Sequence, residues 1–241
     1  MDAALAERLA QNLLKKVNKA VREFNLIEDG DRIVAAVSGG KDSLSLLRLL
    51  MARQSLMPES YDLIAAHVQM DFPPAGQARR EELEALFKEW GVAYTFEEIS
   101  MAGEGRSRRA GVNCFRCAWN RRKALFLAAE RLGANKIAFG HHADDIAQAT
   151  LLNLFFHGRL ETMAPRVEFF QGRFTVIRPL IYVEEKELVQ FARACGFPVQ
   201  TCRCPYGKSS QRARLAKLLR EIEKGCPRVK HHLWQAVMRN R

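Results

Sequence analysis

The chain has 241 residues, of which 48% are hydrophobic and 27% are charged, as in an ordinary globular protein with one substantial core. No apolar run approaches the roughly 20 residues of a membrane helix, and the amino terminus lacks the apolar segment of a secretory signal, so we expect a cytoplasmic protein without a membrane partner. Lys and Arg number 38 against 27 for Asp and Glu. From charge alone, a nucleic-acid partner and a merely basic protein are equally good interpretations.

Apolar residues at helical spacing predict an amino-terminal helix over residues 5–25. Strands alternating with helices then predict a doubly wound, mainly parallel five-stranded α/β sheet. The predicted strands lie at 33–37, 63–70, 93–99, 136–139 and 174–177, and the predicted helices lie near 43–54, 79–90, 116–132, 142–157 and 184–195. The basic tail after Pro205 predicts two further helices around a Gly-Cys-Pro break. We therefore expect three parts: an amino-terminal helix (1–30), an α/β domain (31–200) and a basic, cysteine-containing helical extension (201–241).

The segment IVAAVSGGKDSLSLL carries a glycine-rich turn from the first strand into a helix. Such a turn presents backbone N–H groups to an anion, and glycines let phosphate oxygens approach the backbone. The chain has Ala35 and Asp42 where a Walker loop would need Gly and Ser or Thr. An aspartate in a phosphate loop suits a bound cation, so Asp42 is a candidate Mg²⁺ ligand. The alternative is a tight turn that happens to be rich in glycine.

Four of the six cysteines form close pairs, Cys114/Cys117 and Cys202/Cys204. In a cytosolic chain this pattern indicates a metal or cluster site more than a disulfide framework. Three alternatives remain at this point: a four-cysteine structural zinc, a redox disulfide or unrelated thiols, and an iron–sulfur cluster.

The motif SGGKDS resembles the PP-loop of N-type ATP pyrophosphatases. With CFRCAWNRRKALF, FGHHADDIAQATLLNLFFHGRLETMAPR and VIRPLIYVEEKEL, it is similar to the tRNA 2-thiocytidine synthetase family over roughly residues 15–212. The resemblance implies that ATP activates the C2 oxygen of a tRNA cytidine, which sulfur then replaces. It implies a [4Fe–4S] cluster on Cys114, Cys117 and Cys204, with one iron open to hold sulfur. The family usually carries CxxC at the later site, whereas this chain has Cys-Arg-Cys, so Cys202 is either a bystander or a persulfide-competent thiol.

Further site residues follow from the same motifs. The ATP-binding set implied by the resemblance is Ser38, Gly39, Gly40, Lys41, Asp42, Ser43 and Gly140, and Val68 and Met70 are candidate adenine contacts near the end of a strand. Asp144 and Asp145 are expected at the carboxyl edge of the sheet, where they would bind Mg²⁺ or act in adenylation; the alternative is a helix cap. Arg121, four residues after Cys117, is a candidate to stabilise charge on the phosphate. His141 and His142 are interpreted as hydrogen-bonding residues and are not assigned to a metal.

Basic residues cluster beside the cysteine motifs, with Phe115 and Trp119 available to stack on a base. The predicted RNA-binding residues are Arg108, Arg109, Arg116, Arg122, Lys123, Lys208 and Arg212; the alternative is a solvated charged face. Expected partners are a tRNA anticodon stem-loop and a sulfur donor such as a cysteine desulfurase, and the sequence leaves a homodimer open. Two alternative functions remain: a tRNA uridine thiolase or zinc/persulfide sulfurtransferase, and an ATP- and metal-binding RNA-binding or sulfur-carrier protein without thiolation activity.

Overall fold

The computed structural model describes residues 3–70, 76–99, 114–197 and 211–240. Within these ranges the strands are β1 (Asp31–Ala36), β2 (Tyr61–Met70), β3 (Ala93–Ile99), β4 (Lys136–Ala138), β5 (Arg166–Phe169) and β6 (Phe174–Ile177). The helices are α1 (Ala3–Phe24), α2 (Lys41–Gln54), α3 (Gly76–Trp90), α4 (Cys114–Arg131), α5 (Ala143–His157), α6 (Glu185–Ala194), α7 (Gln211–Gly225) and α8 (Val229–Arg239).

The strands form one sheet in the order β3-β2-β1-β4-β6-β5. Every neighbouring pair is parallel except β5 and β6, which are antiparallel. The predicted doubly wound, mainly parallel fold is therefore confirmed, but the predicted number of five strands is wrong. The missed strand, β5, is a short edge strand whose residues are half-buried or exposed, so it lacks the apolar run by which a buried strand is recognised.

Helices cover both faces of the sheet because alternate residues of each strand point to opposite sides. Ile33 and Ala35 of β1 lie in the larger hydrophobic cluster, together with residues of α1, α2, α3 and α6. Val34, between them, lies in a second cluster with Leu125 and Ala129 of α4. The central strand is thus buried on both sides, and its carboxyl end opens onto the loops that follow it.

The two ends of the chain pack on this core. Helix α1 buries Val17 and Val21 in the larger cluster, and the hairpin α7–α8 packs on α5, where Leu215 and Leu219 contact Leu151. None of the helices in the described ranges is long and apolar enough to cross a membrane. The division into three parts at residues 30 and 200 stays a prediction.

The chain order reverses between β1 and β4, since β1 leads towards β2 and β3 on one side while β4 and β6 lie on the other. Ligands of open α/β sheets bind at the carboxyl ends of the strands beside such a switch point. The segments that leave this edge are residues 37–40, which enter α2, and residues 139–142, which enter α5. The fold therefore brings the SGGKDS and GHHADD motifs to one crevice.

Candidate active site

The glycine-rich turn curls around the hydroxyl of Ser43. The Ser43 Oγ accepts a hydrogen bond from the backbone N–H of Ser38 at 3.1 Å and donates one to the carbonyl of Gly40 at 3.0 Å. Gly39 has a φ of +79°, a left-handed conformation that glycine adopts without a steric penalty. Helix α2 begins at Lys41 rather than at residue 43, so its first-turn N–H groups, which have no intrahelical acceptor, belong to the turn itself. This is a geometry suited to an anion.

The turn after β4 packs backbone to backbone against this loop. A Cβ placed on Gly140 would lie 3.1 Å from the carbonyl carbon and oxygen of Asp42 and 3.2 Å from the nitrogen of Ser43. Such distances are shorter than ordinary van der Waals contacts. Gly140 therefore lets the two motifs approach each other closely. Its role in ATP binding stays a prediction.

Lys41 and Asp42 place both signs of charge at the start of α2. The Lys41 Nζ lies 3.0 Å from Glu185 Oε1 and 3.2 Å from the Asp42 carboxylate. Burial alone would lower the pKa of Lys41, but the charges of Asp42 and Glu185 outweigh burial, so its pKa is raised and the ammonium stays charged. A fixed positive charge here suits the phosphates of a nucleotide.

The Oδ1 of Asp42 is buried and accepts no hydrogen bond from the described residues, although the Lys41 Nζ lies 3.2 Å from it. A carboxylate oxygen in this state suits a cation. No group of three or more His, Cys, Asp or Glu side chains in the described ranges is arranged to hold a metal. Mg²⁺ often binds one or two carboxylates together with substrate phosphates, so this site fits a cation that arrives with a nucleotide.

Asp144 and Asp145 are neighbours with opposite pKa shifts. Burial would raise the pKa of Asp144, but the nearby His142 ring and the contact with the Lys230 ammonium lower it well below its usual range. Its Oδ1 lies 2.7 Å from Lys230 Nζ, and its Oδ2 accepts the backbone N–H of Glu185 at 2.7 Å. Burial raises the pKa of Asp145, partly opposed by the charge of His142. The Oδ2 of Asp145 accepts the backbone N–H of His142 at 3.1 Å, so Asp145 also caps α5, as the alternative interpretation expected. Two carboxyl groups whose pKa values are shifted in opposite directions in one crevice suit different roles.

His142 lies at the centre of the acidic cluster, a position that the sequence did not reveal. Its Nε2 is 3.4 Å from Asp145 Oδ2 and 3.9 Å from Asp42 Oδ1, and its Nδ1 is 3.6 Å from Asp144 Oδ2. Burial would lower the pKa of His142, but the nearby carboxylates of Asp144, Asp145 and Asp42 raise it. The ring therefore lies where three acids beside the phosphate loop favour its protonated form.

His141 faces a different environment. Its ring stacks on Phe139 with centroids 5.7 Å apart. Burial lowers the pKa of His141 to about 3, and the charges of Arg178, Arg212 and Arg122 act in the same direction. These arginines come from the end of β6, from α7 and from α4, so two predicted RNA-binding residues, Arg122 and Arg212, lie near the GHHADD turn. Arg178 was not among the residues predicted from the sequence. Its position directly after a predicted strand, at the ligand-binding edge of the sheet, could have identified it.

The first cysteine motif opens α4. The helix begins at Cys114, whose side chain is outside the described residues, and Cys117 is half-buried. Arg121 is one turn further on and exposed, and residues four apart share a helix face, so Cys117 and Arg121 point the same way. Cys204, Arg108, Arg109 and Lys208 lie outside the described residues. The cluster ligands and the role of Arg121 stay predictions.

The exposed side of α4 carries basic and aromatic residues. Arg116, Arg122 and Lys123 are exposed, and Trp119 is 55% exposed with the Lys123 Nζ 5.7 Å from its ring centre. Large exposed aromatics beside cations suit stacking on an unpaired base. These residues stay predicted RNA contacts.

The predicted adenine contacts lie at the carboxyl end of β2, the strand beside β1. Val68 is half-buried and packs against the second hydrophobic cluster, on the α4 side of the sheet. Met70 ends the strand, and its side chain is outside the described residues. Both stay predictions.

Comparison with known proteins gives one consistent picture. A family profile described as a PP-loop domain matches residues 6–219. A protein from Geobacter sulfurreducens named tRNA-cytidine(32) 2-sulfurtransferase is 44% identical over 225 residues, covering 92% of this chain and 86% of the relative. A relative of the same name from Geobacter metallireducens is 42% identical over 235 residues, covering 96% of this chain and 90% of its own length.

Among solved structures, the fold is similar to that of the U34-tRNA thiolase NcsA from Methanococcus maripaludis, solved with its [4Fe–4S] cluster. The TM-score is 0.77 at 23% identity, and the match covers 97% of this chain and 79% of the other. At this identity the likeness speaks for the fold alone.

Proposed function

The chain belongs to the PP-loop family of the tRNA-cytidine(32) 2-sulfurtransferases, and we propose that it is an ATP-dependent enzyme that replaces the C2 oxygen of a tRNA cytidine with sulfur. The family resemblance predicted from the sequence is thereby confirmed. The observation that carries the proposal is the close packing of the SGGKDS loop against the GHHADD turn at the switch point. That packing brings the proposed phosphate loop and the Asp144–Asp145 pair into one crevice.

ATP would bind with its phosphates at the start of α2. The first-turn N–H groups and the Ser38 hydroxyl are donors for phosphate oxygens, and the Lys41 ammonium adds a positive charge that does not depend on pH in the physiological range. Asp42 would hold Mg²⁺ through its buried Oδ1. Val68 and Met70 would line the adenine side of the site.

The reaction has two bond exchanges. The C2 oxygen of the cytidine attacks the α-phosphorus of ATP, the bond to the β-phosphate breaks, and pyrophosphate leaves. Sulfur at the sulfide level then bonds to C2, the C2–O bond breaks, and AMP leaves with the cytidine oxygen. Negative charge develops on the phosphate in the first exchange, and fixed cations at that point lower the barrier. Lys41 and Arg121 are the residues proposed to supply them.

Asp145 is the carboxylate proposed to act on the substrate. Its raised pKa, caused mainly by burial, makes it a better proton acceptor and donor near neutral pH than an ordinary aspartate. Asp144 has both oxygens engaged and is proposed to hold the turn in place. The predicted pair of catalytic aspartates is thus proposed to divide into one acting group and one anchor.

The thiols of Cys114, Cys117 and Cys204 are the proposed ligands of a [4Fe–4S] cluster. Cys117, half-buried on the same helix face as Arg121, fits a ligand held beside a cation. When bound, the cluster would supply an iron atom without a cysteine ligand, to which sulfur can attach. The sulfur itself would come from a separate donor, such as a cysteine desulfurase.

The tRNA would approach across α4 and the start of α7. Arg116, Arg122 and Lys123 on α4 and Arg212 on α7 are exposed cations on elements that border the GHHADD turn. Cations in this arrangement would position the phosphodiester backbone, while the exposed Trp119 offers a flat surface to an extruded base. A cytidine of the anticodon stem-loop is the proposed target.

Nucleoside mass spectrometry tests the proposal. tRNA from cells with the gene should contain 2-thiocytidine, and tRNA from cells without it should lack this nucleoside. Reintroducing the wild-type chain should restore 2-thiocytidine, whereas the Asp42→Asn chain should not, since its site loses the carboxylate proposed for Mg²⁺. Loss of a thiolated uridine instead would favour the uridine alternative, and unchanged thionucleosides would contradict the enzyme assignment.

A further inference from the structure

A lysine of the carboxy-terminal hairpin reaches the candidate active site. Lys230 lies in α8, yet its Nζ is 2.7 Å from Oδ1 of Asp144 at the start of α5. The same ammonium is 2.9 Å from Glu223 Oε1 in α7 and 3.5 Å from Glu184 Oε2 beside α6. Its side chain is only 12% exposed. An ammonium held among three carboxylates with little access to water is a fixed charge, unlike a surface lysine.

The contacts continue from Asp144 to the phosphate loop. The Oδ2 of Asp144 accepts the backbone N–H of Glu185 at 2.7 Å, which ties the start of α5 to the start of α6. The Oε1 of Glu185 in turn accepts a hydrogen bond from Lys41 Nζ at 3.0 Å. One unbroken series of polar contacts therefore joins α8 to the residues proposed to hold the phosphates of ATP.

The charge of Lys230 matters because negative charges surround Asp144. Asp144 is 8% exposed. Asp42 and Asp145 lie nearby, since both of them, like Asp144, raise the pKa of the His142 ring. Without the ammonium, Oδ1 of Asp144 would be a buried charge that has lost its direct partner. Such a group moves towards water or another donor. The turn that carries Asp145 would then move with it.

We propose that Lys230 is a positioning residue for the ATP-dependent reaction: it fixes Asp144 and thereby holds the starts of α5 and α6 against the phosphate loop. The proposal rests on the proposed function of the chain. It gives the carboxy-terminal hairpin, whose amino-terminal end carries Arg212, a direct part in arranging the nucleotide site. Lys230 acts through Asp144 and is not proposed to touch the reacting atoms.

The test measures pyrophosphate release from ATP by the full-length, anaerobically purified protein with tRNA, sulfide and Mg²⁺. Lys230→Met keeps the length of the side chain and removes its charge. We expect kcat to fall by about 10- to 100-fold, because displacement of a catalytic group by about 1 Å has an effect of this size. The KM for ATP should change by less than about threefold, since the phosphate loop itself is intact. Lys230→Arg, which keeps the charge, should recover most of the rate.

Two control variants separate positioning from stability. Glu223→Gln removes the negative charge from the contact between Lys230 and α7 and leaves the contact with Asp144. Lys224→Met removes a lysine of α7 that is 73% exposed and pairs with Glu221. Both variants should keep a kcat within about twofold of wild type. If the role of Lys230 is merely structural, both Lys230→Met and Glu223→Gln should lose activity in proportion to the fall in their melting temperatures.

A double variant covers the case in which Lys230→Met does not fold. Lys230→Met combined with Asp144→Asn leaves no unpaired charge at position 144, and it should be no slower than Asp144→Asn alone, because the lysine acts through that carboxylate. A further loss of rate in the double variant would overturn the proposal, as would full activity of Lys230→Met. If the wild-type protein itself releases no pyrophosphate with tRNA, the proposed function fails instead, so the two failures are distinguishable.

Discussion

Replacing Gly140 by alanine tests whether the two motifs meet as closely as the structure shows. The new Cβ would lie 3.1 Å from the carbonyl group of Asp42 and 3.2 Å from the nitrogen of Ser43. These are backbone atoms, so they cannot rotate away, and the two loops must separate by a few tenths of an ångström. Overpacking of this kind destabilises proteins by about 1–3 kcal/mol. For a chain of this length, that free energy corresponds to a melting temperature lower by about 2–12 °C.

The same displacement should affect catalysis, because it moves Asp145 relative to the phosphate loop. We expect kcat/KM for pyrophosphate release to fall by roughly tenfold or more at a temperature where the variant is folded. The matched control is Gly225→Ala, because a Cβ at Gly225, the last residue of α7, meets open space. That control should leave activity unchanged and leave stability unchanged or raised by up to about 1 kcal/mol. A Gly140→Ala protein that melts and turns over like wild type would refute the close approach of the two loops.

Three further predictions address the thiols, the histidine and the RNA surface. Anaerobically purified wild-type protein should be brown, Cys117→Ser should be colourless and Cys226→Ser should keep the colour. The absorbance spectrum in the visible range measures this, and a brown Cys117→Ser protein would exclude Cys117 as a cluster ligand. His141 has a folded pKa of about 3 against an ordinary 6.5, so the unfolded chain takes up the proton first as the pH falls. The stability that neutral His141 provides is complete above about pH 6.5 and is lost between about pH 6.5 and 3. His141→Gln should therefore flatten the fall of melting temperature with pH in this range, and an unchanged slope would contradict the neutral ring. For the RNA surface, Arg122→Gln should reduce the slope of log K for tRNA against log salt by about one, as loss of one phosphate contact does; an unaltered slope would place Arg122 away from the backbone.

The elements that the sequence predicted best are those with a strong local pattern. Continuous apolar runs marked the buried strands, and a glycine-rich turn between a strand and a helix marked the phosphate loop. The edge strand β5 was missed because it is half-buried and lacks an apolar run. The start of α2 at Lys41 was missed because its first turn is polar and part of the loop.

The features that sequence analysis could not supply are contacts between distant segments. The aspartate pair in GHHADD was visible, but only the fold shows that Lys230 and the backbone of Glu185 occupy both oxygens of Asp144. His142 was visible as a histidine, but its place among three carboxylates depends on the packing of α2 against the turn after β4. Arg178 carried one local signal, its position after a strand, and its effect on His141 depends on three separate elements. Local sequence patterns thus identified the site residues, whereas their contacts and pKa shifts depend on tertiary packing.

The fate of one oxygen atom tests the central claim most directly. A tRNA substrate labelled with ¹⁸O at C2 of its target cytidine is incubated with the anaerobically purified protein, ATP, Mg²⁺ and sulfide, and the products are analysed by mass spectrometry. Activation of the cytidine at the phosphate loop predicts 2-thiocytidine in the tRNA and the label in the phosphate of AMP, in equal amounts, with unlabelled pyrophosphate. Thiolated tRNA with the label in water or inorganic phosphate, or ATP cleavage without labelled AMP, would contradict it.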